Sequence, residues 1–191
     1  MEDIKLKEII ESIDILQKAL VYLLFSKSNE PVKGRTLLQK EMFLVANYIE
    51  EVKENADFVP YNHGAYSEYV DISLNQLISY NLIREEGGNI HLTSFGEKLA
   101  RAINREFKDE EKKAILEFKE LINNMTLDEA LAFSYFSFPE FAKESAILNK
   151  IKNNRISLAY SLYKKGLVNG EKALFISGLD AKEFFKRYTH D

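Results

Sequence analysis

Apolar residues in this chain recur every three to four positions in short stretches, and Gly, Pro and Asn cut those stretches apart. Ile9, Ile13, Leu16, Leu20 and Leu24 share one helical face, and Leu38, Met42, Val45 and Ile49 share another. Such a chain must bury several short helices against one another. Its longest apolar run, Ala19–Phe25, is about seven residues, and a membrane-spanning helix needs about 20. The charged start MEDIKLKEII lacks the apolar core of a secretion signal. The expectation is a cytoplasmic protein with no membrane partner.

Between the helical stretches lie two different interruptions. Pro60 and Gly64 break DFVPYNHGAYS, where Phe58 and Val59 suit a short strand. Residues 82–93 read as a β-hairpin turning at Gly87-Gly88, a pair that tolerates positive φ. Ser67 and Thr93 are placed to cap the helices that follow them. The first ~105 residues thus run helix, helix, strand, helix, hairpin, helix, the element order of a winged helix-turn-helix. The expected fold is mostly α: a winged helix-turn-helix domain with a small β-hairpin wing, followed by a helical C-terminal region. The expected divisions are a winged-helix domain over 1–106, a helical middle over 107–149 and a basic helix-turn-helix over 150–191. In the middle part, Thr126 and Glu129 form a capping box, and Pro139 interrupts an aromatic-rich helix. In the last part, Gly166 and Gly178 are natural helix ends and Asp180 a natural start.

The composition narrows the chemistry. Of 191 residues, none is Cys and three are His, so thiolate sites, disulfides and histidine-rich metal sites are removed together. No Ser–His–Asp order, phosphate loop or dinucleotide fingerprint occurs. The expectation is a non-catalytic protein with no metal and no cofactor. The formal charge is −4, yet it is unevenly spread. Residues 150–191 hold nine basic and four acidic side chains, a balance of +5, which leaves −9 for residues 1–149. Polyanion binding follows local clusters of Lys and Arg, so the tail is a candidate phosphate-facing surface. It reads equally as a solvated basic face.

Three stretches resemble one family. GRTLLQKEMFLV (34–45), FVPYNHGAYS (58–67) and YFSFPEFAKES (135–145) are similar to the three signature segments of prokaryotic YwgA-like and SocA-type antitoxin (Panacea-like) proteins. Ala65 stands where that family usually has Pro, and Phe138 where it has Tyr. The likeness covers roughly residues 10–150. It implies a winged-helix-like domain and an antitoxin, regulator or adaptor role. The stretch from Leu158 to Tyr188 also resembles, over a shorter span, the helix-turn-helix of small antitoxin-like proteins.

Two functional readings follow. In the first the chain is a DNA-binding transcriptional regulator or antitoxin-like protein, acting as a homodimer on double-stranded DNA. Arg35, Lys40 and Arg84 of the winged helix, and Lys164, Lys165, Lys182, Lys186 and Arg187 of the tail, would then meet phosphates. The turn Tyr61, His63, Gly64, Tyr66 and Ser67 could add polar contacts, or serve only to cap and turn the chain. In the second reading the winged helix is a scaffold that binds a protein partner such as a toxin without touching DNA. Its recognition-helix candidate favours this, because residues 66–80 contain Glu68 and Asp71 but no Lys or Arg.

Overall fold

The structure, a computed structural model, describes residues 2–188. It is mostly helical, with two small two-stranded antiparallel sheets. The chain divides into two compact units, Met1–Phe58 with Ser67–Asn123, and Val59–Tyr66 with Asn124–Asp191. Residues 107–149, expected as one middle segment, are shared between them.

The first unit begins with α1 (Glu2–Ser12) and α2 (Ile15–Asn29). The apolar spacing of residues 9–24 suggested one helix, but Asp14 starts a new one. Its carboxylate accepts from Gln17 N, and the Gln17 side chain accepts from Asp14 N, a closed capping box. Regular helix in α2 ends near Phe25: Ser26 is extended, and Lys27, Ser28 and Asn29 take φ of 52°, 54° and 62°. Three successive non-glycine residues in this left-handed region are uncommon. Next come α3 (Arg35–Tyr48) and α4 (Glu50–Ala56), then α5 (Glu68–Ser79), β3 (Ile83–Glu86), β4 (Asn89–Leu92), α6 (Ser94–Ile103) and α7 (Asp109–Asn123). β3 pairs with β4 across the Gly87-Gly88 turn, whose φ values of 58° and 78° are what glycine permits. Val32 bridges Ile90 with two backbone hydrogen bonds of 3.1 and 2.9 Å, adding a one-residue third rung to the hairpin.

The core of this unit is built from α2, α3 and α5 through Leu20, Leu23, Leu38, Met42, Val70, Leu74 and Leu77, all fully buried. Gly96 shows how tightly α6 meets it. A Cβ there would lie 2.1 Å from the Leu82 carbonyl oxygen, so no larger residue fits. Thr93 caps α6 by accepting from Gly96 N at 3.0 Å, as its position in the sequence suggests.

The second unit joins a hairpin to a helical array. β1 (Val59–Tyr61) and β2 (Gly64–Tyr66) pair with Pro60 opposite Ala65, so the short strand expected at Phe58–Val59 is in fact two strands. The helices are α8 (Leu127–Ser137), α9 (Pro139–Ala142), α10 (Leu148–Asn153), α11 (Arg155–Lys164), α12 (Gly170–Ser177) and α13 (Ala181–Tyr188). Thr126 and Glu129 form the expected capping box at the start of α8. Leu131, Ala132, Tyr135, Ala142 and Ile151 make a buried cluster, with Phe136 and Leu158 packed on it. Among the described residues, no helix is long and apolar enough to cross a membrane.

Candidate functional site

The residues that carry the family likeness are joined by hydrogen bonds. Within the first unit, Gln39 of α3 grips the start of α5: its amide donates to Ser67 O at 2.9 Å and its carbonyl accepts from Ser67 N at 3.0 Å. Ser67 is fully buried, caps α5 by accepting from Val70 N at 3.1 Å, and donates its hydroxyl to Ala56 O. Within the second unit, the hairpin tip is held in the same manner. Asn62 O accepts from Ser145 Oγ at 3.1 Å and from Ala146 N at 3.2 Å, and Ser145 Oγ lies 2.6 Å from the Tyr135 hydroxyl. Gly64 has φ of 83° and is buried beside Ala65, which explains a small residue at 65. Tyr61 stacks near Tyr66 with ring centroids 4.9 Å apart and stays half-exposed, and His63 is exposed at the turn. Ser67 and Gly64 are therefore framework residues, while Tyr61 and His63 present their side chains outward.

Outward from this clamp, α5 shows an apolar stripe. Tyr69, Ile72 and Tyr80 are 53%, 44% and 40% exposed. Their spacing, with Gln76 between them, places them on one helical face. Glu68 is exposed and Asp71 half-buried at the same end. Isolated exposed apolar residues are ordinary, but an aligned set on one helix is less so.

The basic residues divide sharply. Arg35 makes a bidentate pair with Glu85, 2.8 Å from each carboxylate oxygen, and also donates to Asn75 at 3.0 Å. That hydrogen-bonded guanidinium holds the Glu85 carboxyl below its ordinary pKa range. Lys40 is 2% exposed, and burial pulls its pKa down to about 7. It cannot meet a phosphate from there, which corrects its place among surface contacts. Arg84 is exposed on β3, 3.7 Å from Glu86. In the second unit, Lys165 is paired with Glu129 at 2.7 Å. Burial pushes Glu129 up, but hydrogen bonds from Lys165, Ser161 and Thr126 outweigh it, so the carboxyl lies below its ordinary range. Arg155 donates to Ile176 O at 2.9 and 2.7 Å and covers the Phe136 ring at 4.1 Å, so it serves the core. Lys164, Lys182, Lys186 and Arg187 stay exposed, and Arg187 also meets Glu183 at 3.2 Å. On α13, Phe184 is fully buried.

One cluster had no forewarning. Glu41 of α3 is fully buried and neither carboxylate oxygen has a hydrogen-bond partner; burial raises its pKa well above the usual carboxylate range. Lys119 of α7 is fully buried too, with its pKa lowered by burial to about 8, and donates to Leu24 O and Ser26 O at 2.9 Å each. The ammonium thus closes the frayed end of α2. The only hint in the sequence is that Lys40, Glu41 and Lys119 each sit inside apolar stretches. Among the described residues, no group of three or more His, Asp or Glu is placed to hold a metal ion.

Compared with protein-family models, with curated proteins and with solved structures, the chain finds no match in any of the three.

Proposed function

We propose that this chain is a non-catalytic regulator of the prokaryotic antitoxin or adaptor type, which holds a protein partner such as a toxin on the outward face of α5. The observation that carries this reading is the stripe of Tyr69, Ile72 and, at the C-cap, Tyr80, beside the exposed Glu68, in a stretch, 66–80, that contains no Lys or Arg. Carboxylates repel a phosphate backbone, whereas aromatic and aliphatic anchors suit a protein interface. The matching partner surface is an apolar groove with basic residues at its edge.

The order of the elements supports the reading. α2, the Val32 rung, α3, α5 and the β3–β4 hairpin follow one another in winged-helix order, with α4 and a hairpin inserted before α5. The family likeness supports it as well, since Gln39, Ser67, Asn62, Tyr135 and Ser145 of the likeness segments are the ones that tie those segments together. The frame then acts as a scaffold that sets α5 at a fixed angle.

The test is light scattering and pulldown with the product of the neighbouring gene, using the full chain and Ile72→Arg. The wild type forms a stable complex and the variant loses it by about tenfold or more in affinity, the size of one interface anchor. A complex that survives Ile72→Arg and Tyr69→Ala alike overturns the reading.

A second reading keeps double-stranded DNA as the ligand and a homodimer as the binding form, with the tail alone as the contact. Lys164, Lys182, Lys186 and Arg187 are exposed and residues 150–191 carry +5, which favours it. Fluorescence anisotropy against duplex DNA across a salt series decides: affinity that falls steeply with salt and weakens in Lys182→Glu supports DNA, and absence of binding at low salt removes it.

A further inference from the structure

Two exposed helix faces of this chain carry complementary groups. The first is the outward face of α5, in the first unit. Tyr69 and Ile72 lie on it, with Glu68 one turn before Ile72 and Tyr80 at the C-cap. Among the described residues Glu68 has no ion pair, and the hydroxyls of Tyr69 and Tyr80 have no hydrogen-bond partner.

The second is the outward face of α12, in the second unit. Phe175 is 60% exposed there. Helical spacing puts Glu171 and Lys172 on its two flanks. The Lys172 ammonium lies 5.0 Å from the centre of the Phe175 ring and 5.3 Å from that of Phe133 on α8. Neither Lys172 nor Glu171 has an ion pair among the described residues. A phosphate backbone would answer Lys172 but leave Phe175 in water, and Glu171 would repel it. α5 answers all three groups. Glu68 offers Lys172 a carboxylate, Ile72 and Tyr69 offer Phe175 apolar surface, and the tyrosine hydroxyls offer Glu171 a donor. No Lys or Arg in the stretch 66–80 opposes Lys172.

We propose that the α12 face binds α5 of a second copy of this chain. Ile72 meets Phe175 at the centre, and Glu68 meets Lys172 at the edge, an apolar anchor inside a polar rim. A single helix-on-helix contact is at the small end of interfaces, so the association is weak, on the order of 100 µM. A copy docked this way covers the stripe on which the reading above places a toxin. Self-association and toxin capture then exclude each other, while self-association itself does not rest on there being a toxin.

Analytical ultracentrifugation of the full chain over a concentration series tests it, with circular dichroism on each variant to check the fold. The wild type gains mass with concentration. Phe175→Ala, Glu68→Lys and Lys172→Glu each weaken the association about tenfold, the two reversals by setting like charges face to face. Association returns when Glu68→Lys and Lys172→Glu are combined in one chain, and when the two single variants are mixed, because opposite charges then meet again. Lys53→Glu, at an exposed lysine of α4, leaves it unchanged. In the toxin pulldown Phe175→Ala still captures the partner, which tells loss of self-association from loss of the toxin site. The proposal is overturned if the wild type stays monomeric up to about 1 mM, if Phe175→Ala associates like the wild type, or if neither the double variant nor the mixture recovers. A monomeric wild type that binds duplex DNA, and binds it less tightly as Lys172→Glu, gives the face to DNA and overturns the proposal as well.

Discussion

Two helices in this protein were candidates to read a partner, and the chain builds them on opposite principles. α5 is seated by directional polar contacts as well as by its apolar side. Gln39 holds both backbone groups of Ser67, and Arg35 reaches Asn75 further along. α13 is seated by rings: Phe184 is fully buried beside Tyr160, and Phe185 meets Tyr163 edge to face at 5.6 Å. Hydrogen bonds fix slide and rotation, because they weaken steeply off-angle. Ring burial is largely indifferent to small rotations, because it depends on area removed from water. The outward faces match those seats. α5 carries Tyr69 and Ile72, which need a shaped counterpart, and α13 carries Lys182, Lys186 and Arg187, which need only opposite charge.

The comparison breaks most readily at Phe184. Phe184→Ala removes the anchor of α13 and costs about 3–5 kcal/mol of local stability. Hydrogen exchange by peptide should then show residues 181–188 losing protection while residues 67–79 keep theirs. Gln39→Ala is the counterpart on α5. It leaves the buried Ser67 N–H without its acceptor, at about 1–3 kcal/mol. Exchange should rise at 67–70 and remain unchanged in α13; a rise in both would mean the two seats are not independent.

The foundation of α5 also titrates. Lys40, adjacent to the clamp, has a folded pKa of about 7 against 10.5 in an unfolded chain. A depressed folded value means stability that is present at high pH and is lost as pH falls toward 7. Wild-type stability therefore climbs between pH 7 and 10.5, at up to about 1.4 kcal/mol per pH unit. Lys119 adds a climb of the same sign that begins near its own value of about 8. Glu41 opposes both, because its raised pKa favours the folded state at low pH and loses that advantage as pH rises above the ordinary carboxylate range. Urea melts at stepped pH on Lys40→Met should show the climb starting near 8 instead of 7. The smallest effect belongs to Ile72→Ala, which leaves stability within about 0.5 kcal/mol and registers only when a partner is present.

Much of the frame was legible because it is written in local chemistry. Thr93, Ser67, Thr126 with Glu129, and Asp180 cap the helices their positions suggested, and Gly87-Gly88 turns the hairpin. These signals involve residues three or four apart. The break at Asp14 leaves no mark in the pattern, because a capping box restarts a helix without disturbing the apolar spacing on either side. The β1–β2 hairpin gives little signal in the sequence, because its strands are three residues long and one contains proline. Lys40 read as a surface cation because α3 is buried on nearly every side, and a sequence shows the type of a residue but not how many neighbours surround its helix.

The hairpin of residues 59–66 belongs with a unit whose other residues begin at Asn124. Ribosomes release a chain from its N-terminus, so the first unit has all its residues once position 123 has emerged. At that moment the hairpin has neither Tyr135 nor Ser145 to hold Asn62, which lies 83 positions before Ser145. At synthesis rates of roughly 5–20 residues per second, the wait lasts a second or more. During it, Val59 and the paired tyrosines Tyr61 and Tyr66 are a loop in search of a surface. The hairpin thus gains these partners only after the rest of residues 1–123 has emerged.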